Sequence, residues 1–244
     1  MRFGNLLASI DVETTGTDPK WHEMIQIGIV ILDNDLNPTE QRFSCRIKPE
    51  RPERADPAAT SVHGLSFDEG LDSDKVADLL EEWVASLKMP VGRKLMPLAH
   101  NHLFEYGFLT AWLGRAAYNE LFGYHPRDSM VLALMMNDLA RLRGEPIPFE
   151  SVSLTELCKQ FNIVNEKAHD ALADSYAAAK VYKALLCYFS TTPQPLLIGP
   201  SPVAPPDPTQ KSQPSIGYSA PPAISTGGEL AWNAGAVSGP MGSL

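Results

Sequence analysis

The chain has 244 residues, enough for one sizeable domain plus an appendage at the usual roughly 100 to 200 residues per domain. A hydrophobic fraction of 44% and a charged fraction of 20% support an ordinary packed core. The formal net charge of -9 argues against a protein that grips duplex DNA through a broad basic surface, and favours local contact with a short strand end.

The first predicted elements are three short apolar segments, at 6–13, 24–32 and 42–48, bounded by turn signals at Gly16, Asp33 to Asp35 and Pro49. They read as consecutive strands. Asn34 and Asp35 suit a hairpin turn, so the sheet is expected to open as an antiparallel meander. From 73 to 87, Val76, Leu79, Leu80, Trp83, Val84 and Leu87 recur at helical spacing, with Ser73 as the expected N-cap. A strand at about 94–100 and a helix at about 103–116 follow, then helices after Asp128, after Ser153 and from about 170 to 189. Strands followed by alternating α and β elements give an α/β domain over 1–190 with a mixed sheet.

Beyond Ser190, about half of all the prolines gather with Ser, Gly and Ala and almost no charge. Residues 191–244 therefore read as a disordered tail, which lacks the apolar surface to offset ordering entropy of roughly 1 to 2 kcal/mol per residue. It is read first as a passive linker, with a proline-recognising protein partner at Pro202 to Pro208 as the other reading. Cys45, Cys158 and Cys187 are widely spaced, with no CxxC pair, and read as reduced thiols. With no apolar run of about 18 residues and no signal-peptide core near Arg2, a cytoplasmic location and no membrane contact are expected.

Three segments carry chemistry. In Ile10-Asp11-Val12-Glu13-Thr14-Thr15-Gly16, strand alternation points Asp11 and Glu13 to one face while Ile10 and Val12 pack beneath. Two such carboxylates either hold a hard divalent cation, Mg²⁺ or Mn²⁺, or form a solvated strand end that turns at Gly16. In Ala168-His169-Asp170-Ala171-Leu172-Ala173-Asp174, His169 and Asp174 lie roughly 140° apart if both are helical. They converge only if His169 precedes the helix and Asp170 caps it. Alone, His169 reads better as a helix-entry residue, whereas Asp174 sits among small apolar neighbours with no structural task. In His100-Asn101-His102-Leu103-Phe104-Glu105-Tyr106-Gly107-Phe108-Leu109, Phe104 and Phe108 make an apolar face beside Glu105. That face serves either the core or the stacking of a terminal base.

Together these segments resemble the DEDDh exonuclease superfamily, the DnaQ-like proofreading exonucleases and ribonuclease T relatives on a ribonuclease H-like fold. Asp11 and Glu13 match its DxE, His100 to Leu109 the second motif, and His169 with Asp174 the HxxxxD of the third. Val62-His63-Gly64-Leu65, Arg127-Asp128-Ser129 and Ser153 to Cys158 resemble the stretches between, so the likeness spans about residues 6 to 189. It implies a five-stranded mixed sheet flanked by helices and a metal-dependent 3′-5′ exonuclease acting on single-stranded DNA or RNA 3′ ends. Two ions, Mg²⁺ or alternatively Mn²⁺, would be held by Asp11, Glu13, Glu105 and Asp174, with Asp11 bridging them. His169 would act as general base, with Glu13 also counted among the catalytic groups. Thr14, Thr15, His63, Asn101, Phe104 and Phe108 would meet the substrate, and Asp128 is assigned to structure. The family has Asp in its second motif where this chain has Glu105, longer by about 1.5 Å. The alternatives are a nucleic-acid-binding domain weakened by that exchange, or a scaffold that acts through its tail.

Overall fold

The computed structural model describes residues 6–191, so the expected tail lies outside the described residues except for Thr191. Three strands come first: β1 (Leu6–Thr14), β2 (Met24–Leu32) and β3 (Pro38–Arg46). They pair antiparallel as expected, through a turn in which the Asp33 carboxylate accepts the N–H groups of Asp35 and Asn37. The third strand runs four residues earlier than its apolar pattern suggests, because pairing with buried β2 recruits its polar start.

After a short 3-10 turn, α1 (Pro57–His63) and α2 (Ser73–Ser86) lead to β4 (Leu95–Ala99) and α3 (His102–Leu121). Helix α3 breaks at Gly114, whose φ of 75° places it in the left-handed region. Next come β5 (Arg127–Asp128), α4 (Ser129–Leu142), α5 (Leu154–Gln160) and α6 (Ala171–Thr191). Strand order is β3-β2-β1-β4-β5, with β4 and β5 parallel to their neighbours: a mixed five-stranded sheet.

The expected N-cap at Ser73 is corrected. Asp72 holds the cap position and Ser73 is the first helical residue, its hydroxyl accepting a hydrogen bond from the Trp112 indole at 2.9 Å. The three cysteines are free, as read.

Alternation along β1 decides what each face of the sheet does. Ala8, Ile10 and Val12 join Val76, Leu80 and Phe108 in the core shared with α2 and α3. Ser9, Asp11 and Glu13 turn to the other face, where α6 packs on β1 and β2. That close packing requires Gly28. It stands opposite Asp11 in the register, and a Cβ there would lie 2.3 Å from the Leu172 nitrogen and 2.4 Å from the Ala171 carbonyl. The bare backbone at position 28 thus lets the start of α6 approach the acids on β1.

Candidate active site

Asp11 and Glu13 share a face at the end of β1, with Glu13 half-buried. The Asp11 carboxyl is held well above the ordinary carboxylate range, by burial first and then by Glu105, Asp174, Glu13 and Asp170. Burial, Asp174 and Asp170 push Glu13 up to about 7. Glu105 of α3 and Asp174 of α6 thus both act electrostatically on Asp11 of β1.

The third motif takes the shape its chemistry needs. His169 precedes α6 in the left-handed region at φ 67°, a conformation that costs a non-glycine residue on the order of 1 kcal/mol or more. Two contacts secure it: its backbone N–H donates to Asp174 Oδ2 at 2.9 Å, and the next N–H, on Asp170, donates to the Lys167 carbonyl at 3.1 Å. Asp170 caps the helix by accepting from the Ala173 N–H. Glu13, His169 and Asp174 consequently offer ligand atoms that all lie within 4.8 Å of one another.

Glu105 enters from the first turn of α3 and is buried, 3% exposed. Its carboxyl is raised well above the usual range, chiefly by burial, with Asp128 adding to the rise and its own backbone N–H opposing it. Its Oε2 is buried and has no hydrogen-bond partner. Asp128 fixes the entry of this helix. Its carboxylate accepts the N–H groups of Asn101 and His102, at 3.2 and 2.8 Å, as well as those of Met130 and Val131 at the start of α4. One side chain thus caps two helices, a structural role that agrees with the sequence reading, while Asn101 supplies only its backbone at φ 76°.

The residues expected to meet substrate are placed more variously. Thr14 and Thr15 are both buried: the Thr14 hydroxyl donates to the Gly16 carbonyl at 2.6 Å, and the Thr15 hydroxyl accepts from the Glu23 N–H at 2.8 Å. Both hydroxyls hold the turn. Phe108 belongs to the core, while half-buried Phe104 packs on it with ring centroids 4.9 Å apart. His63 ends α1, and its Nδ1 accepts the Leu65 N–H at 2.9 Å.

Two positioning residues escaped the sequence reading. Gln26, cross-strand from Glu13, donates through Nε2 to Asp170 and accepts the Ala171 N–H, which fastens the start of α6 to β2. A glutamine inside the apolar run of β2 was the available signal, since buried polar side chains have partners. Asn165 donates its amide to Asp174 Oδ1, so both oxygens of that carboxylate are held. Nothing in its loop sequence marked it.

Asp11 and Glu13, whose proton affinities are raised by burial and by the acids around them, together with the buried unpaired oxygen of Glu105, fit a divalent cation site built of hard oxygen donors. Residues 9–182 match the RNase_T exonuclease family. The chain belongs to that family, within the DnaQ-like superfamily, and is an exonuclease enzyme. Among its relatives is the DNA polymerase III subunit epsilon of Salmonella typhimurium, 31% identical over 186 residues, covering 72% of this chain and 69% of the relative. Ribonuclease T of Buchnera aphidicola is 28% identical over 188 residues, covering 71% of this chain and 80% of the relative.

Among solved structures, E. coli exonuclease I in complex with a dT13 oligonucleotide superposes with a TM-score of 0.57 at 23% identity. The match covers 76% of this chain but only 43% of that one. Cell-death related nuclease 4 does so at 0.56 and 15% identity, covering 75% and 64%. These likenesses establish the ribonuclease H-like fold. Among the described residues, no helix is long and apolar enough to cross a membrane.

Proposed function

We propose that this enzyme is a metal-dependent 3′-5′ exonuclease that removes nucleoside 5′-monophosphates from the 3′ end of a single strand. The observation that carries the reading is the convergence of Glu13, His169 and Asp174, whose ligand atoms all lie within 4.8 Å of one another, on the face that Asp11 shares with Glu13. Such a cluster calls for positive charge. Asp11, Glu13, Glu105 and Asp174 would hold two ions, Mg²⁺ or Mn²⁺. When bound, they supply charge against that developing on the phosphate and on the departing 3′ oxygen.

His169 is exposed on its loop, close to Glu13 and Asp174, and free to meet water. It takes a proton from the attacking water as the new P–O bond forms and the P–O3′ bond breaks. The shortened strand leaves with its 3′ oxygen, which gains a proton. Glu13 is counted with His169 among the groups that act in this step. Thr14 and Thr15 shape the turn beneath the terminal nucleotide, since both hydroxyls and the Thr15 backbone groups are engaged within the fold. Phe104 is the ring available for the terminal base, backed by Phe108. Asn101 is proposed beside it on the substrate side.

A His169→Ala exchange is expected to slow single-turnover cleavage of a 5′-labelled strand by about 10² to 10⁴-fold, the usual contribution of a general base. The melting-temperature gain on adding Mn²⁺ should persist in that variant. An unchanged cleavage rate would remove His169 from the role.

A further inference from the structure

Beside the acids lies a second set of unsatisfied groups, and these are donors. Arg46 ends β3 directly opposite Gln26, which is itself opposite Glu13. Directly paired residues leave the same face of a sheet, so Glu13, Gln26 and Arg46 form one row across three strands. At about 4.8 Å per strand, the Arg46 backbone stands roughly 10 Å from that of Glu13. Its Nη2 donates to the Ser66 carbonyl at 2.5 Å and its Nη1 lies 3.8 Å from Glu69, but its Nε is buried with no partner.

His63 comes from the other side. The segment leading into α1 is tied to the catalytic turn, because the Asp56 N–H donates to the Thr15 carbonyl at 2.7 Å and the Asp56 side chain caps the helix. At the far end, His63 Nδ1 accepts the Leu65 N–H. A backbone N–H can only donate, so the proton of the neutral ring is on Nε2, and that atom too is buried without a partner. Burial holds the ring below the ordinary histidine value, helped by the charges of Arg46 and His169. The Ser66 carbonyl that accepts from Arg46 follows directly on Leu65, whose N–H is held by the His63 ring, so one short loop joins the two side chains.

Buried donors without acceptors are costly and uncommon. Two of them, one cationic, lie on elements tied to Glu13 and to the Thr15 turn, at the edge of a site whose other groups are acids. On the reading that the substrate is a nucleic-acid strand, we propose that Arg46 and His63 form an anion subsite that takes a non-bridging phosphate oxygen of that strand. Arg46 contributes charge and His63 a neutral N–H.

The test is the binding of a labelled oligo-dT strand by fluorescence anisotropy in Ca²⁺, a hard cation that the same oxygen ligands accept. It compares the wild type with Arg46→Gln, Arg46→Lys and His63→Phe across a salt series. Arg46→Gln is expected to weaken binding about tenfold, as for a lost hydrogen bond to a charged group, and His63→Phe by a comparable factor. The slope of log affinity against log salt should become shallower by about 0.7 in Arg46→Gln, the value for one phosphate contact on a single strand. Arg46→Lys should restore most of both. The melting-temperature gain on adding Mn²⁺ should stay at the wild-type value in every variant, which separates the subsite from the carboxylate site and from misfolding. Unchanged affinity and slope in Arg46→Gln would overturn the subsite, as would weaker binding with an unaltered slope. A wild type that binds the strand with the expected slope yet never shortens it would count against the exonuclease reading alone.

Discussion

Glu13 shows at a single residue why this site is unstable until it is charged with cations. Its carboxyl has an ordinary value of 4.5 and is pushed up to about 7 in the folded protein. Between those values the native state binds more protons than the unfolded chain, so stability falls as pH rises through the window. Asp11 and Glu105 are raised too and add in the same direction. Metal-free protein in EDTA is therefore expected to melt at progressively lower temperature as pH rises from about 4.5 to about 7. Asp11→Asn should flatten that fall, and Mn²⁺ should reverse it in the wild type. Melting temperatures that rise over this range in EDTA would show that the acids are not strained as argued. The shared face of Asp11 and Glu13 and the helix entry of His169 with Asp174 were legible from spacing, whereas their joint assignment to a metal site, Glu105 included, came from the resemblance. Asn165 and Arg46 were not legible, since a loop amide and a strand-end arginine gain meaning only from what the fold sets beside them. For Phe108 the core reading weighed beside the stacking one agrees with its burial.

Helix α6 is the element on which the arrangement turns, because it carries Asp174 and follows closely on His169. Its approach to the sheet depends on Gly28, opposite Asp11, and its start is held by Gln26. Gly28→Ala would drive a Cβ into backbone atoms of Ala171 and Leu172, which cannot rotate away. Overpacking of this kind destabilises by about 1 to 3 kcal/mol, and any relief must move Asp174 away from Asp11. Urea unfolding and the cleavage rate should both suffer; wild-type values for both would show that α6 is not held by this contact. The long elements were legible from their periods, as the buried face of α2 and the apolar run of β2 show. Helix α1, with seven residues and no buried one, and the two-residue β5 carry too little pattern to be read. Ser73 misled because its hydroxyl is spent on Trp112 across the helix pair.

For the whole molecule, charge and architecture point the same way. A net charge of -9 is at odds with broad electrostatic grip on nucleic acid, yet suits an enzyme that concentrates acids at one end of a sheet and restores positive charge there with cations. The α/β class and mixed sheet followed from the order of strands and helices, whereas the five-strand count came from the resemblance. Glu105 is a carboxylic acid on a longer arm than Asp, and its Oε2 is buried and unpaired. The central claim is that these acids run a metal-dependent exonuclease that starts at a 3′ end. Digestion of a 5′-labelled single strand by the purified wild type in Mg²⁺, Mn²⁺ or EDTA tests it most directly. The expected result is a ladder shortened one nucleotide at a time in at least one of the metals and an intact strand in EDTA. An intact strand in both metals, or equal shortening in EDTA, would contradict it.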